Sequence, residues 1–385
     1  MSSIFFTDEE EEFRAKVRQF AHKEIGPIAE TIERENEYHR ELITKMAKHG
    51  FLGTLHEPKY GGIGPSAVKE IVVAEEISAV SPAIDMSRLS SSVLYSTPVS
   101  SFGSDEQKKR FLTPIVKGEK IGAFCLTEPD VGSDVAGMKT RATHSGKEYT
   151  LNGEKRFITN GSVADLLLVA AVTNPDVHPH KGMSTLVVET DSPGFEVVKD
   201  YDLMGMRGAR IAHLRFSNVI VPQDNLIGRE NEGWGVVTHE LDVERTAIAA
   251  EAVGYARTPF EIAVRYSDER VQFDRPIRKF EAISFRIADM ATRLEAARLL
   301  TLKAARMIDR ALPATKEAAM AKDFATETAF QTASDALQIL GGIGYTKEYP
   351  VERFFRDSRL MKIGGGTTEI LKFLIQREVY RELGL

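Results

Sequence analysis

The sequence predicts an α+β protein in which an N-terminal helical domain, a small central β domain and a C-terminal helical bundle follow one another. Three observations carry this: amphipathic helical spacing through the first 120 residues, β-rich runs between turn residues from 121 to 232, and long helical patterns from Trp234 to Leu385. With 385 residues the chain can hold roughly two to three domains and bury an ample core. The limits fall at 1–120, 121–232 and 233–385.

Thr7-Asp8-Glu9-Glu10 has the capping-box pattern, and Phe13, Val17, Phe20 and Ala21 follow at helical spacing, so a helix starts there. Further helical patterns run over residues 39–49, 66–78, 84–101 and 105–117, separated by Gly50, by the glycine-rich stretch 60–65 and by Ser81-Pro82. At Ile121 the period changes. Asn152-Gly153 carries a hairpin signal, and residues 166–172, 184–189, 195–198 and 211–221 read as short strands. The helical patterns of the last third break at Arg275-Pro276, at Ala311-Leu-Pro-Ala and at glycine clusters near 341–344 and 364–366.

Hydrophobic residues at 42% and charged residues at 28% are ordinary for a globular chain, and a net charge of −6 argues against nucleic acid or an anionic membrane as the main partner. The single cysteine, Cys125, allows no intramolecular disulfide and no thiolate metal cluster. No metal site is expected. The opening residues lack a basic region followed by an apolar one, no apolar run approaches a membrane span, and a cytoplasmic location is expected.

Two stretches carry the chemistry. Gly122 to Asp134 reads as a strand ending in Thr127-Glu128-Pro129 and a turn at Gly132-Ser133-Asp134, which offers backbone N–H groups and hydroxyls suited to phosphates or the edge of a flat heterocycle. A plain polar loop after a strand is the alternative. Gln338-Ile-Leu-Gly341-Gly342-Ile-Gly344 continues to Arg353 and Asp357; alone, its glycines would simply end a helix. Together, and in the helix–strand–helix order, these stretches make the chain resemble the acyl-CoA dehydrogenase family along essentially its whole length.

The resemblance implies FAD as cofactor, an acyl-CoA substrate, an electron-transferring flavoprotein as acceptor and a homotetramer. It implies that Phe124, Leu126, Thr127, Gly132 and Ser133 line the flavin or meet CoA, with Phe157 and Thr159 behind the isoalloxazine. Arg270, Gln272 and Phe273 match a segment that reaches the FAD diphosphate of a neighbouring subunit, Gln338, Gly341 and Gly342 its partner segment, and Thr367 and Glu369 the adenosine end. Val131, Leu203 and Ala209 depart from the family's usual residues.

The implied reaction is α,β-dehydrogenation, which needs one carboxylate to take the α-proton. Many relatives carry it in a Tyr-Glu-Gly-Thr motif, but here the motif reads Gly364-Gly365-Gly366-Thr367, leaving Gly365 only its backbone N–H for the thioester carbonyl. Other relatives carry the base in a Glu-Arg pair on the first long helix after the β domain. Glu244-Arg245 matches that place. A solvated Glu is the bland alternative; the i±3 and i±4 neighbours Glu240, Leu241, Ala247 and Ile248 instead put the carboxylate on an apolar stripe with a raised pKa. Glu244 is therefore expected to be the base. A carboxylate at 365 would approach the same α-carbon, so Gly365→Glu is expected to restore part of the activity of a Glu244→Gln variant. Arg245 reads either as a partner of Asp242 or as a CoA contact.

Asp85 opens a helix and reads first as a cap. The resemblance puts that helix at the far end of the acyl pocket, so Asp85, Arg88, Ser90, Ser91 and Leu94 are candidate substrate residues, and Asp85 a candidate second base for an unsaturated cyclic acyl group. The polar set favours a compact, branched or alicyclic acyl group. The rival readings are an oxygen-using relative, disfavoured because such oxidases generally carry a further C-terminal domain, and a non-catalytic CoA- or flavin-binding scaffold.

Overall fold

The computed structural model describes residues 5–239 and 241–385. Helices occupy the chain up to Val116, strands fill Gly122–Ile227, and helices return from Gly233 to Glu382. The capping box forms: Glu10 N donates to Thr7 Oγ1 at 3.3 Å and Thr7 N to Glu10 Oε2 at 2.8 Å, starting helix Asp8–Phe20. The same Glu10 carboxylate takes two bonds of 2.6 Å from Arg306, which ties the first helix to the C-terminal bundle. Helices Arg40–Lys48 and Ala67–Ser78 lie within a residue or two of their expected limits. The stretch expected at 84–101 begins earlier, as helix Pro82–Leu89, and continues through a π-helical segment, Ser90–Tyr95, to Ser96–Phe102.

The central sheet has strands β1 (Gly122–Cys125), β2 (Arg141–Ser145), β3 (Glu148–Thr159), β4 (Leu166–Val172), β5 (Met183–Glu189), β6 (Phe195–Asp200), β7 (Ile211–Pro222) and β8 (Leu226–Ile227). Their order is β6-β7-β3-β2-β4-β5-β8, with β1 parallel to β4. The hairpin expected at Asn152-Gly153 is absent there. The turn joining β2 and β3 lies at Gly146-Lys147, with Ser145 opposite Glu148 and Gly146 at φ +64°. Asn152-Gly153 is instead an irregularity inside β3, where pairing with β7 shifts register; a Cβ at Gly153 would sit 2.6 Å from Thr140 Oγ1. A local turn signal lost to long-range pairing because β7 supplies a ladder that the dipeptide alone does not reveal.

Helices Leu241–Glu269, Glu281–Asp309 and Thr315–Leu340 form the bundle. Their shared core is rich in small residues, Ala247, Ala252, Ala304, Ala318, Ala325 and Ala329 among them, which lets the helices approach closely. A hairpin of β9 (Val271–Gln272) and β10 (Arg275–Pro276) leaves one end of the bundle. The first helices are fastened to the bundle by arginines around two buried carboxylates: Arg14 and Arg18 meet Glu76 at 2.7 and 2.9 Å, Arg257 meets Glu76 at 2.7 Å, and Arg298 meets Glu75 at 2.9 Å. Among the described residues no helix is long and apolar enough to cross a membrane.

Candidate active site

Helix Leu241–Glu269 places Glu244 in its first turn, buried at 9% exposure, with Arg245 beside it. Burial pushes the Glu244 carboxyl above its ordinary pKa, and the charges of Arg245 and Lys322 oppose that rise. Glu244 has no hydrogen-bond partner among the described residues. Glu240, one of its expected neighbours, lies outside the described residues. Arg245 is buried as well; its Nη1 is 3.5 Å from Asp242 Oδ1, and its Nε has no partner.

Opposite Glu244 runs the turn between helices Val351–Met361 and Thr368–Glu382. Gly365 sits in it at φ +64°, and a Cβ there would lie 3.2 Å from Glu244 Oε1 and 3.3 Å from Lys322 Cε. The carboxylate on the long helix thus reaches the space where a side chain at 365 would begin. That same Cβ would come within 2.4 Å of Ile248 Cδ1. The expected rescue by Gly365→Glu therefore meets two obstacles that the sequence did not display, a collision with Ile248 and a left-handed backbone.

Asp85 does not open its helix. Pro82 does, and the Asp85 carboxylate turns inward to Arg88 Nε at 2.5 Å. Arg88 continues to Glu70 at 2.7 Å and to Ser92 Oγ at 3.1 Å, while the Thr54 hydroxyl donates to Glu70. Glu251 meets Asp85 from the long helix; burial and the Asp85 charge push Glu251 well above the ordinary carboxyl range. Asp85 itself is pushed up to about 6, burial outweighing Arg88. Since Glu244, Ile248 and Glu251 lie on one stripe of the helix, this cluster sits two turns, about 10 Å, beyond Glu244.

Ser90 and Ser91 also differ from expectation. Their hydroxyls donate to the carbonyls of Thr159 at 3.1 Å and Gly122 at 3.0 Å, which fastens the helix to the sheet and spends the proton of each. Asn160 Nδ2 adds a bond of 2.8 Å to the Ser87 carbonyl. Leu94 is half-buried against the bundle core.

The sheet end brings several expected residues together. Beyond β1, the Leu126 carbonyl accepts from Lys155 Nζ at 3.0 Å and the Thr127 carbonyl from Arg156 N at 2.8 Å. Lys155 is wholly buried, and its charge is met by Glu128 at 2.9 Å, so an internal ion pair holds the strand end in place. Phe124, Leu126, Thr127 and Thr159 are half-buried; Gly132 and Ser133 are exposed. Phe157, in a strand irregularity at φ +57°, is 54% exposed beside Tyr201, with ring centroids 4.8 Å apart.

A second group stands apart in this chain. Arg270, Gln272 and Phe273 project on the β9–β10 hairpin, Phe273 at 87% exposure, while Gln338, Gly341 and Gly342 lie exposed at the end of helix Thr315–Leu340. Ile277, packed with Ile339, Leu340 and Ile343, places both segments at one end of the bundle. Thr367 caps helix Thr368–Glu382 by accepting from Ile370 N at 3.4 Å, and Glu369 is exposed in its first turn.

Sequence reading missed a cavity of about 710 Å³ lined by Phe102, His180, Lys181, Arg229, Asn231 and Trp234. His180 stacks on Trp234 with centroids 3.7 Å apart. The run His178-Pro-His180-Lys181, basic and aromatic within a polar loop, was the available signal.

Comparison with known proteins identifies the fold over nearly the whole chain. The family descriptions "Acyl-CoA dehydrogenase, N-terminal domain", "middle domain" and "C-terminal domain" match residues 7–119, 123–219 and 231–380. An acyl-CoA dehydrogenase of Bacillus subtilis is 43% identical over 371 residues, covering 96% of this chain and 98% of that protein. The structure of butyryl-CoA dehydrogenase from Megasphaera elsdenii superposes with a TM-score of 0.95 at 37% identity, covering 97% of this chain and 99% of the other. A chain from the structure described as "Electron transferring flavoprotein of Acidaminococcus fermentans" superposes with a TM-score of 0.96 at 38% identity, covering 98% and 100%. The chain belongs to the acyl-CoA dehydrogenase family and is an oxidoreductase of that FAD-dependent family.

Proposed function

We propose that this protein oxidises a compact acyl-CoA thioester to the 2-enoyl-CoA, with Glu244 as the base that removes the α-proton. One observation carries the assignment: Glu244 Oε1 lies 3.2 Å from the point where a side chain at Gly365 would begin, so the carboxylate fills the place the glycine motif leaves blank. Its burial raises its proton affinity toward the working range of a general base. The Gly365 N–H then serves as donor to the thioester carbonyl, stabilising the charge that develops as the α-proton leaves.

The residues at the sheet end fit FAD. Phe124, Leu126 and Phe157 offer apolar surface there, and Gly132, like Gly341 and Gly342 at the end of the bundle, has open space where a Cβ would stand, so its backbone can be approached closely. When bound, FAD accepts the β-hydride. The exposed Arg270 of a second copy supplies a guanidinium for its diphosphate, with Gln272, Phe273, Gln338, Gly341 and Gly342 at that boundary and Thr367 and Glu369 at the adenosine end. This makes the functional unit an oligomer, and the family resemblance points to a tetramer. Ser133 and Arg245 are assigned to the substrate, and the cavity beside Trp234, with His180, Lys181 and Arg229, suits the nucleotide end of CoA. An electron-transferring flavoprotein as acceptor is supported by the superposable chain from the structure that bears that description.

A compact acyl group is supported by the Asp85–Arg88–Glu70–Glu251 cluster, since a long aliphatic tail running along the helix would meet buried charge two turns beyond the base. A second reading, in which Asp85 takes a γ-proton from an unsaturated cyclic thioester, is supported by its Oδ2, buried without a hydrogen-bond partner, and by the burial that raises its carboxyl above the ordinary value. Anaerobic mixing of holoenzyme with butyryl-, isobutyryl-, cyclohexanecarbonyl-, cyclohex-1-enecarbonyl- and palmitoyl-CoA tests the function. Rapid bleaching of the flavin by the short or alicyclic saturated thioesters is expected. Equal or faster bleaching by palmitoyl-CoA overturns the compact-group reading, and bleaching by the cyclohexene thioester alone, lost in Asp85→Asn, supports the second.

A further inference from the structure

Lys322 lies wholly buried on helix Thr315–Leu340. Its Nζ donates to the carbonyl of Gly366 at 2.7 Å and to that of Met361 at 3.3 Å, so one ammonium spans the turn that carries Gly365. Its Cε stands 3.3 Å, and Glu244 Oε1 3.2 Å, from the same point above Gly365. Two of its three donors are used on carbonyls, and no carboxylate forms a salt bridge with it among the described residues. A lysine kept in such a place contributes more than filling, because burial alone disfavours its charge.

We propose that Lys322 is a positioning residue of the reaction: it fixes the 361–366 turn, and with it the Gly365 N–H, in register with Glu244, and supplies the positive charge that faces this carboxylate. The inference rests on Glu244 being the base. Burial brings Lys322 down to about 8, opposed chiefly by Glu244, and Lys322 in turn opposes the rise of Glu244. The other charged groups around the pair are Asp242 and Arg245 on the long helix, Arg377 facing Arg245 from helix Thr368–Glu382, and Asp323 next to Lys322, which also feels Glu327, Lys362 and Lys372. Since the ammonium favours ionised Glu244, its removal raises the pKa of the base, and the acidic limb of the reduction rate moves to higher pH.

The test is anaerobic flavin reduction of the holoenzyme across pH, with butyryl-CoA as probe or cyclohexanecarbonyl-CoA where it reacts faster. Lys322→Met is expected to slow reduction at least about tenfold and to raise the acidic limb by about one pH unit. Lys322→Gln keeps a donor for the Gly366 carbonyl without the charge, so it should show the same limb shift with a smaller loss of rate. An unmoved limb in either FAD-loaded variant overturns the proposal. If only the Gln variant loads FAD, that variant decides; if neither does, the role is structural and the proposal falls. Should Glu244→Gln keep the native rate, the base assignment fails instead, which is a separate outcome.

Discussion

Glu244 and Glu76 are both buried carboxylates near interdomain contacts, and they are held in opposite ways. Glu76 receives bonds from Arg14, Arg18 and Arg257 at 2.7 to 3.0 Å, which drive its pKa far below the ordinary value despite burial. Glu244 receives none among the described residues, and burial drives its carboxyl the other way. A carboxylate clasped by several guanidiniums has no lone pair left for chemistry and acts as a fastener; one left unclasped in the same kind of interior is costly to fold and able to take a proton. Asp85 stands between them, clasped by Arg88 on one oxygen and left beside Glu251 on the other.

The largest effect should come from breaking the clasped group. Glu76→Gln removes the negative centre of three guanidiniums, and breaking a buried pair of this kind costs about 3 to 5 kcal/mol. Chemical denaturation of the holoenzyme should show that loss while the reduction rate per bound flavin stays near native. A large fall in rate with intact stability would erase the distinction. The contribution of Glu76 has a definite pH sense: its folded pKa is depressed, so the stability is present above its unfolded pKa of 4.5 and is lost as pH falls below it.

A smaller effect is expected at the turn facing the base. Gly365→Ala puts a Cβ into a left-handed position and against Ile248, and it should cost about 1 to 3 kcal/mol in a denaturation measurement. No loss would mean that the turn readily moves away from Glu244. The smallest effect has the opposite sign. Because burial raises the folded pKa of Glu244, Glu244→Gln should make the protein slightly more stable at pH 7.5, and that gain should disappear as pH falls toward the unfolded value of 4.5. A Gln variant less stable than wild type at pH 7.5 would show that Glu244 is a fastener after all.

This contrast was only half visible in the sequence. Leu241, Ala247 and Ile248 announce the apolar stripe around Glu244, and Gly364-Gly365-Gly366 announces a missing side chain; both are local patterns, and the fold brings them together. The Asp85–Arg88 pair sits at legible i,i+3 spacing, but the carboxylates that surround it, Glu70 and Glu251, are 181 residues apart and meet it only after two helices pack on a third. Lys322 looked like any lysine on an amphipathic helix, since the carbonyls it bonds lie 39 and 44 residues away. The three domains were legible because helical and strand periods alternate cleanly, whereas the Asn152-Gly153 turn was misread because β7, sixty residues later, decides its conformation.

The most direct measurement is the rate of anaerobic flavin reduction in Glu244→Gln holoenzyme compared with wild type, using the acyl-CoA that reduces the wild type fastest. Gln keeps the shape of the side chain and cannot accept the α-proton, so the rate should fall by about 10² to 10⁴ while FAD content and thioester binding persist. Reduction at the native rate would contradict the account, because the carboxylate standing over Gly365 would then have no part in removing the proton.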